Sequence, residues 1–257
     1  MTEQQSPGNS TENAAPSRQT IRKWILIISF VLLPVTLFYI SPIIILMGAA
    51  EGVATGSMLL FIANFILSLV VARLWCGWLC PMGAWQEICT PVMKHTVQDG
   101  WRNYVKYLIT AAWLVLLGYL FMGAGGIRAI DPFYATDHGL SITSVEPLIV
   151  VIVIFLIIFA AAFFMGRRGF CRVLCPIAPL MIIGRKIRNL AGWPALGLTA
   201  DKAKCIDCNK CSNECPMGLD VHGMVKDEKM ETPECIDCAT CADVCPKGAI
   251  TFGIKGR

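Results

Sequence analysis

Two cysteine runs near the C-terminus carry the clearest chemistry in the sequence. The first reads CIDCNKCSNECP from Cys205 and the second reads CIDCATCADVCP from Cys235, so each is a full copy of C-x2-C-x2-C-x3-C-P. In this pattern the first three cysteines bind one [4Fe-4S] cluster and the fourth binds the other cluster. A pair of zinc ribbons is the alternative, but zinc ribbons lack the third cysteine and the Cys-Pro step. We therefore assign one cluster to Cys205, Cys208, Cys211 and Cys245, and the other to Cys235, Cys238, Cys241 and Cys215.

A second cysteine pattern occurs twice in the apolar part of the chain. RLWCGWLCPMG contains Cys76 and Cys80, and RRGFCRVLCPIAP contains Cys171 and Cys175. The i to i+4 spacing predicts that both thiols of a pair share one helix face. Because the whole motif is repeated, the two pairs are expected at equal depth around a pseudo-two-fold axis. Four thiolates suit iron, zinc or an Fe-S centre, while a redox-active dithiol and inert buried thiols are the alternatives.

The elements that must position these cysteines are apolar helices. The chain is 55% hydrophobic and only 16% charged, which is typical of a membrane protein. Four uncharged stretches, at 24–47, 52–72, 107–127 and 147–166, each approach the roughly 20 residues that cross a bilayer. Pro34 and Pro42 are expected to kink the first stretch. The predicted fold is an α-helical membrane protein with four transmembrane helices as two parallel hairpin repeats, plus a C-terminal α+β ferredoxin domain with two [4Fe-4S] clusters.

The basic residues predict the orientation of the spans. Lys and Arg cluster before the first stretch, between the second and third, and after the fourth, whereas the opposite side holds only Arg128. Loops rich in Lys and Arg stay in the cytoplasm, so both termini and the ferredoxin domain are predicted to be cytoplasmic in a multi-pass inner (cytoplasmic) membrane protein. The net charge of +4 is dispersed, which argues against nucleic acid and favours membrane lipid as a partner.

Three regions follow from these patterns. Residues 1–20 are polar and predicted to be disordered. Residues 21–197 form the predicted membrane domain with both Cys-x-x-x-Cys-Pro motifs, and its last part, 177–193, is predicted to be an interfacial helix. Residues 198–257 form the predicted ferredoxin domain.

Several other cofactors have no signal in the sequence. There is no GxGxxG motif, P-loop or C-x-x-C-H motif, which removes support for nicotinamide, nucleotide and c-type haem chemistry. The histidines, His95, His138 and His222, do not lie at the depth that a b-type haem would need. Cys89 has no counterpart in the second repeat and is left out of the site.

The order of these motifs resembles a known family. Two Cys-x-x-x-Cys-Pro motifs after apolar spans, followed by a two-cluster ferredoxin, are similar to the NapH-type membrane quinol-dehydrogenase subunits and to the membrane part of NosR-type proteins, over about residues 20–257. The resemblance implies oxidation of a membrane quinol, delivery of electrons through an iron-sulfur or haem partner protein to a respiratory reductase, and a place for the paired motifs in the redox route. No covalent flavin is expected, because the N-terminal flavin domain of NosR-type proteins is missing. The alternative function is an iron-sulfur membrane protein for assembly, maturation or redox sensing.

Overall fold

The apolar part of the chain folds into short and long helices whose ends coincide with prolines, glycines and capping side chains. The computed structural model describes residues 17–90, 100–136, 139–141 and 145–255. Ser17 begins the first helix by accepting a hydrogen bond from the Thr20 amide. Gly52 and Gly192, both with positive φ, end the third and the tenth helix. The helices of this part are α1 (Arg18–Val31), α2 (Leu33–Thr36), α3 (Pro42–Glu51), α4 (Gly56–Val71), α5 (Leu74–Trp78), α6 (Pro81–Ile88), α7 (Arg102–Gly123), α8 (Val145–Met165), α9 (Gly169–Val173) and α10 (Ile177–Ala191).

The first predicted span is not one helix. It is divided among α1, α2, a 3-10 turn at Phe38–Ile40 and α3. Pro34 lies in the first turn of α2 and Pro42 begins α3, where a missing backbone N–H is tolerated. In the described part of the chain, α7 alone has both the length and the composition to cross a membrane, and α3, α4 and residues 151–165 are shorter apolar helices. Helix length therefore identifies one span where the sequence predicted four.

Close packing joins the two halves of the predicted repeat. Helix α4 lies along α10, and a Cβ at Gly184 would stand 3.1 Å from the Ser68 Cβ and 3.3 Å from the Phe65 carbonyl oxygen, so glycine at this position favours the close approach. At the opposite end, the two short strands β1 (Val53–Thr55) and β2 (Ala129–Asp131) pair in parallel from Val53↔Ala129 to Thr55↔Asp131. These contacts connect the first hairpin with the second.

The C-terminal part is an α+β unit closed by its own ends. Strand β3 (Ala195–Ala200) pairs antiparallel with β4 (Ile250–Lys255), in a register running from Ala195↔Lys255 to Ala200↔Ile250. Three short helices lie between the strands: α11 (Lys210–Asn213), α12 (Val221–Lys226) and α13 (Thr240–Asp243). Helices α11 and α13 follow equivalent cysteine loops and contact each other, which reproduces the sequence repeat in space.

The predicted regions can be compared with these elements. Residues 1–16 of the predicted disordered tail lie outside the described residues, and α1 already begins at Arg18. The predicted interfacial segment 177–193 corresponds to α10, which ends at Ala191. Strand β3 begins at Ala195, three positions before the start predicted for the ferredoxin domain at 198.

Candidate functional site

The eight C-terminal cysteines line two separate hollows. One hollow is lined by Cys205, Cys208, Cys211 and Cys245, and the other by Cys215, Cys235, Cys238 and Cys241. Each hollow thus takes three cysteines from one run and the fourth cysteine from the other run, which is the grouping that crossed ligation requires. We call the second hollow the proximal cradle because it lies against the apolar helices, and the first hollow the distal cradle.

The backbone of the two cysteine loops has the same unusual conformation. Asp207 and Asn209 in the first loop have φ of 57° and 55°, and the equivalent Asp237 and Ala239 have φ of 50° and 61°. Left-handed residues beside right-handed ones form concave nests of N–H groups that bind anions. Such loops fit a cluster whose four thiolates give it a negative charge.

The two cradles differ strongly in exposure. All four cysteines of the proximal cradle are buried, whereas in the distal cradle Cys208 is exposed and the other three are half-buried. Burial accordingly raises the pKa of Cys235 and of Cys241 well above the ordinary thiol range. The proximal cradle is therefore a dry site, and the distal cradle is open to solvent.

Backbone contact between the proximal cradle and α5 is close. A Cβ at Gly77 would lie 2.4 Å from the carbonyl oxygen of Ile236, so this position has room for no side chain. The neighbouring Trp78 donates from its indole Nε1 to the Asp237 carbonyl over 3.2 Å. The motif that contains Cys76 thus rests directly on the second cysteine loop.

Two further side chains of the apolar part bind carbonyls of the same cysteine loop. Arg185 in α10 donates from Nη1 to the Cys235 carbonyl over 3.1 Å. Gln19 in α1 donates from Nε2 to the Cys238 carbonyl over 3.0 Å. The second cysteine loop is consequently held between α1, α5 and α10.

A buried ion-pair cluster fixes the segment that leads into this loop. The Glu234 carboxylate forms ion pairs with two cations. One oxygen lies 3.3 Å from the Arg73 guanidinium, and the other oxygen contacts the Lys106 ammonium. Arg73 donates in addition to the Pro233 carbonyl over 2.9 Å. Both cations are completely buried, so removing their shared carboxylate would leave two charges without a counter-ion.

The four thiols of the repeated motif lie around helix ends rather than along continuous helices. Cys76 is in α5 and Cys171 is in α9, but α5 ends at Trp78 and α9 at Val173, before Cys80 and Cys175. The expectation that each pair shares one helix face is wrong. The following Pro81 and Pro176 disfavour helix at the preceding residue, so each second cysteine lies in a turn.

These turns still bring the four thiols near one another. The Cys80 thiol interacts electrostatically with Cys171, Cys76 and Cys175. Burial, reinforced by the neighbouring sulfurs, raises the pKa of Cys175 to about 12. We refer to Cys76, Cys80, Cys171 and Cys175 as the four-thiol site.

The sulfurs of the four-thiol site are not as close together as thiolate sulfurs that bind a single tetrahedral metal ion. Bonds of 2.3 Å to a tetrahedral zinc place thiolate sulfurs about 3.8 Å apart. Among the described residues, no three sulfurs of the four-thiol site lie within 4.8 Å of one another, and the same is true of each ferredoxin cradle. The sulfurs of the four-thiol site therefore do not form the compact set that a single zinc ion binds.

Buried cationic groups surround the four-thiol site. Arg168 donates from Nη1 to the Cys76 carbonyl over 2.8 Å, and Arg73 interacts electrostatically with Cys76, Cys175 and Cys171. Within the described ranges, Nε and Nη2 of Arg73 and Nε of Arg168 are buried without a hydrogen-bond partner. Gln86 donates from Nε2 to the Cys171 sulfur over 3.1 Å. These donors fit a negatively charged group held by the four thiols.

One continuous packed cluster connects the four-thiol site with the proximal cradle. The Cys76 sulfur lies 3.5 Å from the Met181 sulfur of α10. Both residues belong to the same buried cluster as Cys215, Cys235 and Cys238. At this contact, described residues of the two sites therefore belong to one packed cluster.

The sequence did not reveal what the basic residues do. Seven of those that mark the predicted cytoplasmic side are at most 4% exposed: Arg22, Arg73, Lys106, Arg168, Arg172, Arg185 and Arg188. Several bind the ferredoxin part, as Arg172 does by donating to the Met217 carbonyl over 3.0 Å. Their regular placement beside the cysteine motifs was the available signal, but their carboxylate and carbonyl partners are far away in sequence.

Comparison with protein families agrees with both cysteine patterns. Residues 204–250 match a family described as a 4Fe-4S dicluster domain. Residues 53–95 and 147–194, which contain the two Cys-x-x-x-Cys-Pro motifs, each match a family described as a 4Fe-4S binding domain. The prediction of a C-terminal 4Fe-4S ferredoxin-like domain is confirmed.

Several curated proteins are similar to most of the chain. YccM of Escherichia coli, whose name assigns it provisionally to electron transport, is 25% identical over 72% of this chain and 52% of its own length. Protein RdxA of Cereibacter sphaeroides is 27% identical over 61% of this chain and 38% of its own length. Protein NirI of Paracoccus denitrificans is 30% identical over 70% of this chain and 25% of its own length. No solved structure matches the chain.

These matches point to a family of 4Fe-4S electron-transport proteins with iron-sulfur clusters as cofactors. The chain spans about half of the Escherichia coli protein and less of the other two.

Proposed function

We propose that this protein is a membrane-bound electron-transfer subunit of the NapH type, which oxidises quinol in the bilayer and delivers the electrons to an iron-sulfur or haem partner protein of a respiratory chain. The observation that supports this proposal best is the direct contact of the proximal cradle with the four-thiol site through Gly77, Met181 and Cys76. A redox domain packed directly against the four-thiol site is arranged for electron transfer with that site.

Membrane insertion with four spans is part of the proposal. Large apolar side chains on α7 are unusually exposed, among them Leu108 and Val115 at 73% and Met122 at 82%. On α8, Leu156 and Phe164 are likewise exposed, at 61% and 79%. Apolar surface on this scale is stable in lipid and a liability in water. We propose an inner-membrane location with the ferredoxin domain on the cytoplasmic side.

We also propose that the four-thiol site holds a third iron-sulfur centre. The support is the mutual electrostatic interaction of the four thiols, the unpartnered guanidinium nitrogens of Arg73 and Arg168, and the bond from Gln86 to Cys171. When bound, such a centre supplies a one-electron donor and acceptor. The protein supplies the thiolates, the buried cations that offset their charge, and a packed shell that excludes water.

The residues of the chain then perform separate tasks. Oxidation of one quinol releases two electrons and two protons, and the two electrons must enter one-electron sites singly. Gly77, Trp78 and Arg185 hold the second cysteine loop against the four-thiol site, which keeps the electron path short and dry. The exposed distal cradle faces away from this contact and meets the partner.

Quinol-driven reduction tests this function. The full chain in lipid nanodiscs is mixed anaerobically with a reduced naphthoquinol, and bleaching of the iron-sulfur absorption is followed with time. Wild-type protein should bleach, whereas Cys171→Ser should bleach with dithionite but not with quinol. Leu174→Ala, next to the same motif but without a thiol, is the matched control. Wild-type protein that dithionite reduces and quinol does not would refute the quinol reaction.

A further inference from the structure

The two cysteine loops have the same Cys-Ile-Asp-Cys sequence but opposite environments. Ile236 in the second loop is 1% exposed, and its counterpart Ile206 in the first loop is 54% exposed. Asp237 is buried, whereas the side chain of Asp207 is 59% exposed. One loop is covered by the apolar helices of the same chain, and the equivalent loop is uncovered.

The covered loop shows how this surface docks. Its isoleucine carbonyl meets Gly77, and its neighbouring carboxylates, Glu231 and Asp237, lie near Arg185 at 3.3 and 3.7 Å. An apolar centre, close backbone contact and opposite charges at the edge hold it in place. The uncovered loop has the same apolar centre, but the charges around it are different.

Lysines surround the distal cradle. The hollow is lined by Lys204, Lys210, Lys247 and His222, and no carboxylate lines it among the residues that the structure describes. Lys204 is paired with Asp201 at 3.0 Å, but Lys210 and Lys247 form no ion pair with any residue that the structure describes.

Asp207, the exposed carboxylate of the first cysteine loop, is paired with basic neighbours. Asp207 lies 2.8 Å from the Nε2 of His222 and 3.2 Å from the Nζ of Lys226. It therefore does not cancel the charge of the two unpaired lysines. The surface formed by Ile206, Lys210 and Lys247 has an exposed apolar centre and a positive edge, which is the usual anatomy of a protein interface.

We infer that Ile206, Lys210 and Lys247 form the docking surface for an electron-transfer protein with an acidic face. The inference rests on the proposed function, and it identifies where the partner binds and what charge it carries. The apolar centre packs against the partner as Ile236 packs into the buried cluster with Cys76 and Met181, and the lysines attract the partner's carboxylates. Transfer here moves one electron from the distal cradle to an oxidised partner, and no bond forms or breaks.

Charge reversal tests the docking surface. The probe is a purified acidic two-cluster ferredoxin, and its affinity for the full chain in nanodiscs is measured by calorimetry with both proteins oxidised. Lys210→Glu/Lys247→Glu should weaken binding about tenfold or more at low ionic strength, and the difference should fade in high salt. Ile206→Asp should weaken binding at every salt concentration. Lys202→Glu/Lys229→Glu, which makes the same charge change away from the hollow, should bind like wild type.

Separate measurements distinguish failure of this inference from failure of the proposed function. Quinol-driven bleaching should be unchanged in all these variants, because entry of electrons does not involve the surface. Equal ferredoxin binding by wild type and by Lys210→Glu/Lys247→Glu would overturn the docking surface while leaving quinol oxidation intact. Anionic phosphatidylglycerol vesicles are the second arm. If they bind the detergent-solubilised chain through the same two lysines, the surface faces lipid and the inference is wrong.

Discussion

Substituting Gly77 by alanine should loosen the ferredoxin domain from the apolar helices. The added Cβ would lie 2.4 Å from the Ile236 oxygen and 3.4 Å from its carbonyl carbon. Both groups belong to the backbone, so no side-chain rotation relieves the contact, and α5 and the loop must separate by about 1 Å to reach ordinary contact. Overpacking of this kind costs about 1–3 kcal/mol. At 1.4 kcal/mol per factor of ten, docking should weaken by a factor of roughly 5 to 150.

Hydrogen exchange measures this weakening where it occurs. In detergent, amides of the peptide covering residues 233–239 should exchange faster in Gly77→Ala by about the same factor, because opening of the contact exposes them. Gly123→Ala is the matched control, since a Cβ at this helical position meets nothing within 4 Å. Iron and sulfide counts on both variants show whether the ferredoxin domain remains folded.

If Gly77→Ala retains its clusters and peptide 233–239 exchanges as slowly as in wild type, α5 and the cysteine loop are not in backbone contact. The proposed path between the four-thiol site and the proximal cradle would then lose its main support.

Four further outcomes follow from the same contacts. Cys215→Ser should lose the proximal cluster and keep the distal one, and Cys245→Ser should do the reverse. Electron paramagnetic resonance of the reduced proteins measures both outcomes. A Cys215→Ser protein with both clusters intact would disprove crossed ligation. Glu234→Gln leaves two buried cations unpaired and should lower the free energy of unfolding by about 3–5 kcal/mol in thermal melts; an unchanged melt would contradict the buried pairs. Burial would raise the pKa of Glu87, but its two arginine partners lower it below its ordinary value of 4.5. The contribution of the ionised Glu87 carboxylate to the free energy of unfolding should thus be complete above pH 4.5 and should disappear as the pH falls through the lowered pKa. Glu87→Gln should not show this loss of stability at low pH. A reporter fused after Arg257 should be active in the cytoplasm, and activity only outside would reverse the topology.

The sequence predicted the chemistry of the site well because cluster ligation is local. Three of four ligands in each cradle lie within seven residues, so their spacing identifies the cofactor without knowledge of the fold. The fourth cysteine of each hollow, Cys245 or Cys215, comes from the other run, and the Cys-Pro step of the known pattern predicts that exchange. The two hollows contain these same sets of four.

The docking of the ferredoxin part could not be predicted in the same way. Arg73 and Glu234 are separated by 161 positions, and nothing local to either residue indicates the other. Basic residues beside apolar stretches are typical of cytoplasmic loops, so Arg73 and Arg185 were interpreted as topology signals. In the fold both arginines are buried and bind the segment around Glu234 and Cys235, a role that the sequence does not indicate.

The geometry of the repeated Cys-x-x-x-Cys-Pro motif differs from the prediction for a local reason. The i to i+4 spacing of Cys76 and Cys80 predicts one helix face only if the helix continues through both residues. The proline after each second cysteine disfavours helix at the cysteine itself. Cys80 accordingly has an extended conformation, with ψ of 117°. Greater weight on Pro81 would have predicted a turn at this position.

An iron and sulfide count on the full chain, purified anaerobically in detergent, shows directly whether the four-thiol site holds an iron-sulfur centre beside the ferredoxin part. Three four-iron centres predict about twelve irons and twelve sulfides in wild type, and Cys76→Ser should fall to about eight of each with both ferredoxin signals unchanged. Cys89→Ser, outside the repeated motif, should remain at about twelve. A wild-type count of about eight, equal to that of Cys76→Ser, would contradict the account and leave the four thiols without iron.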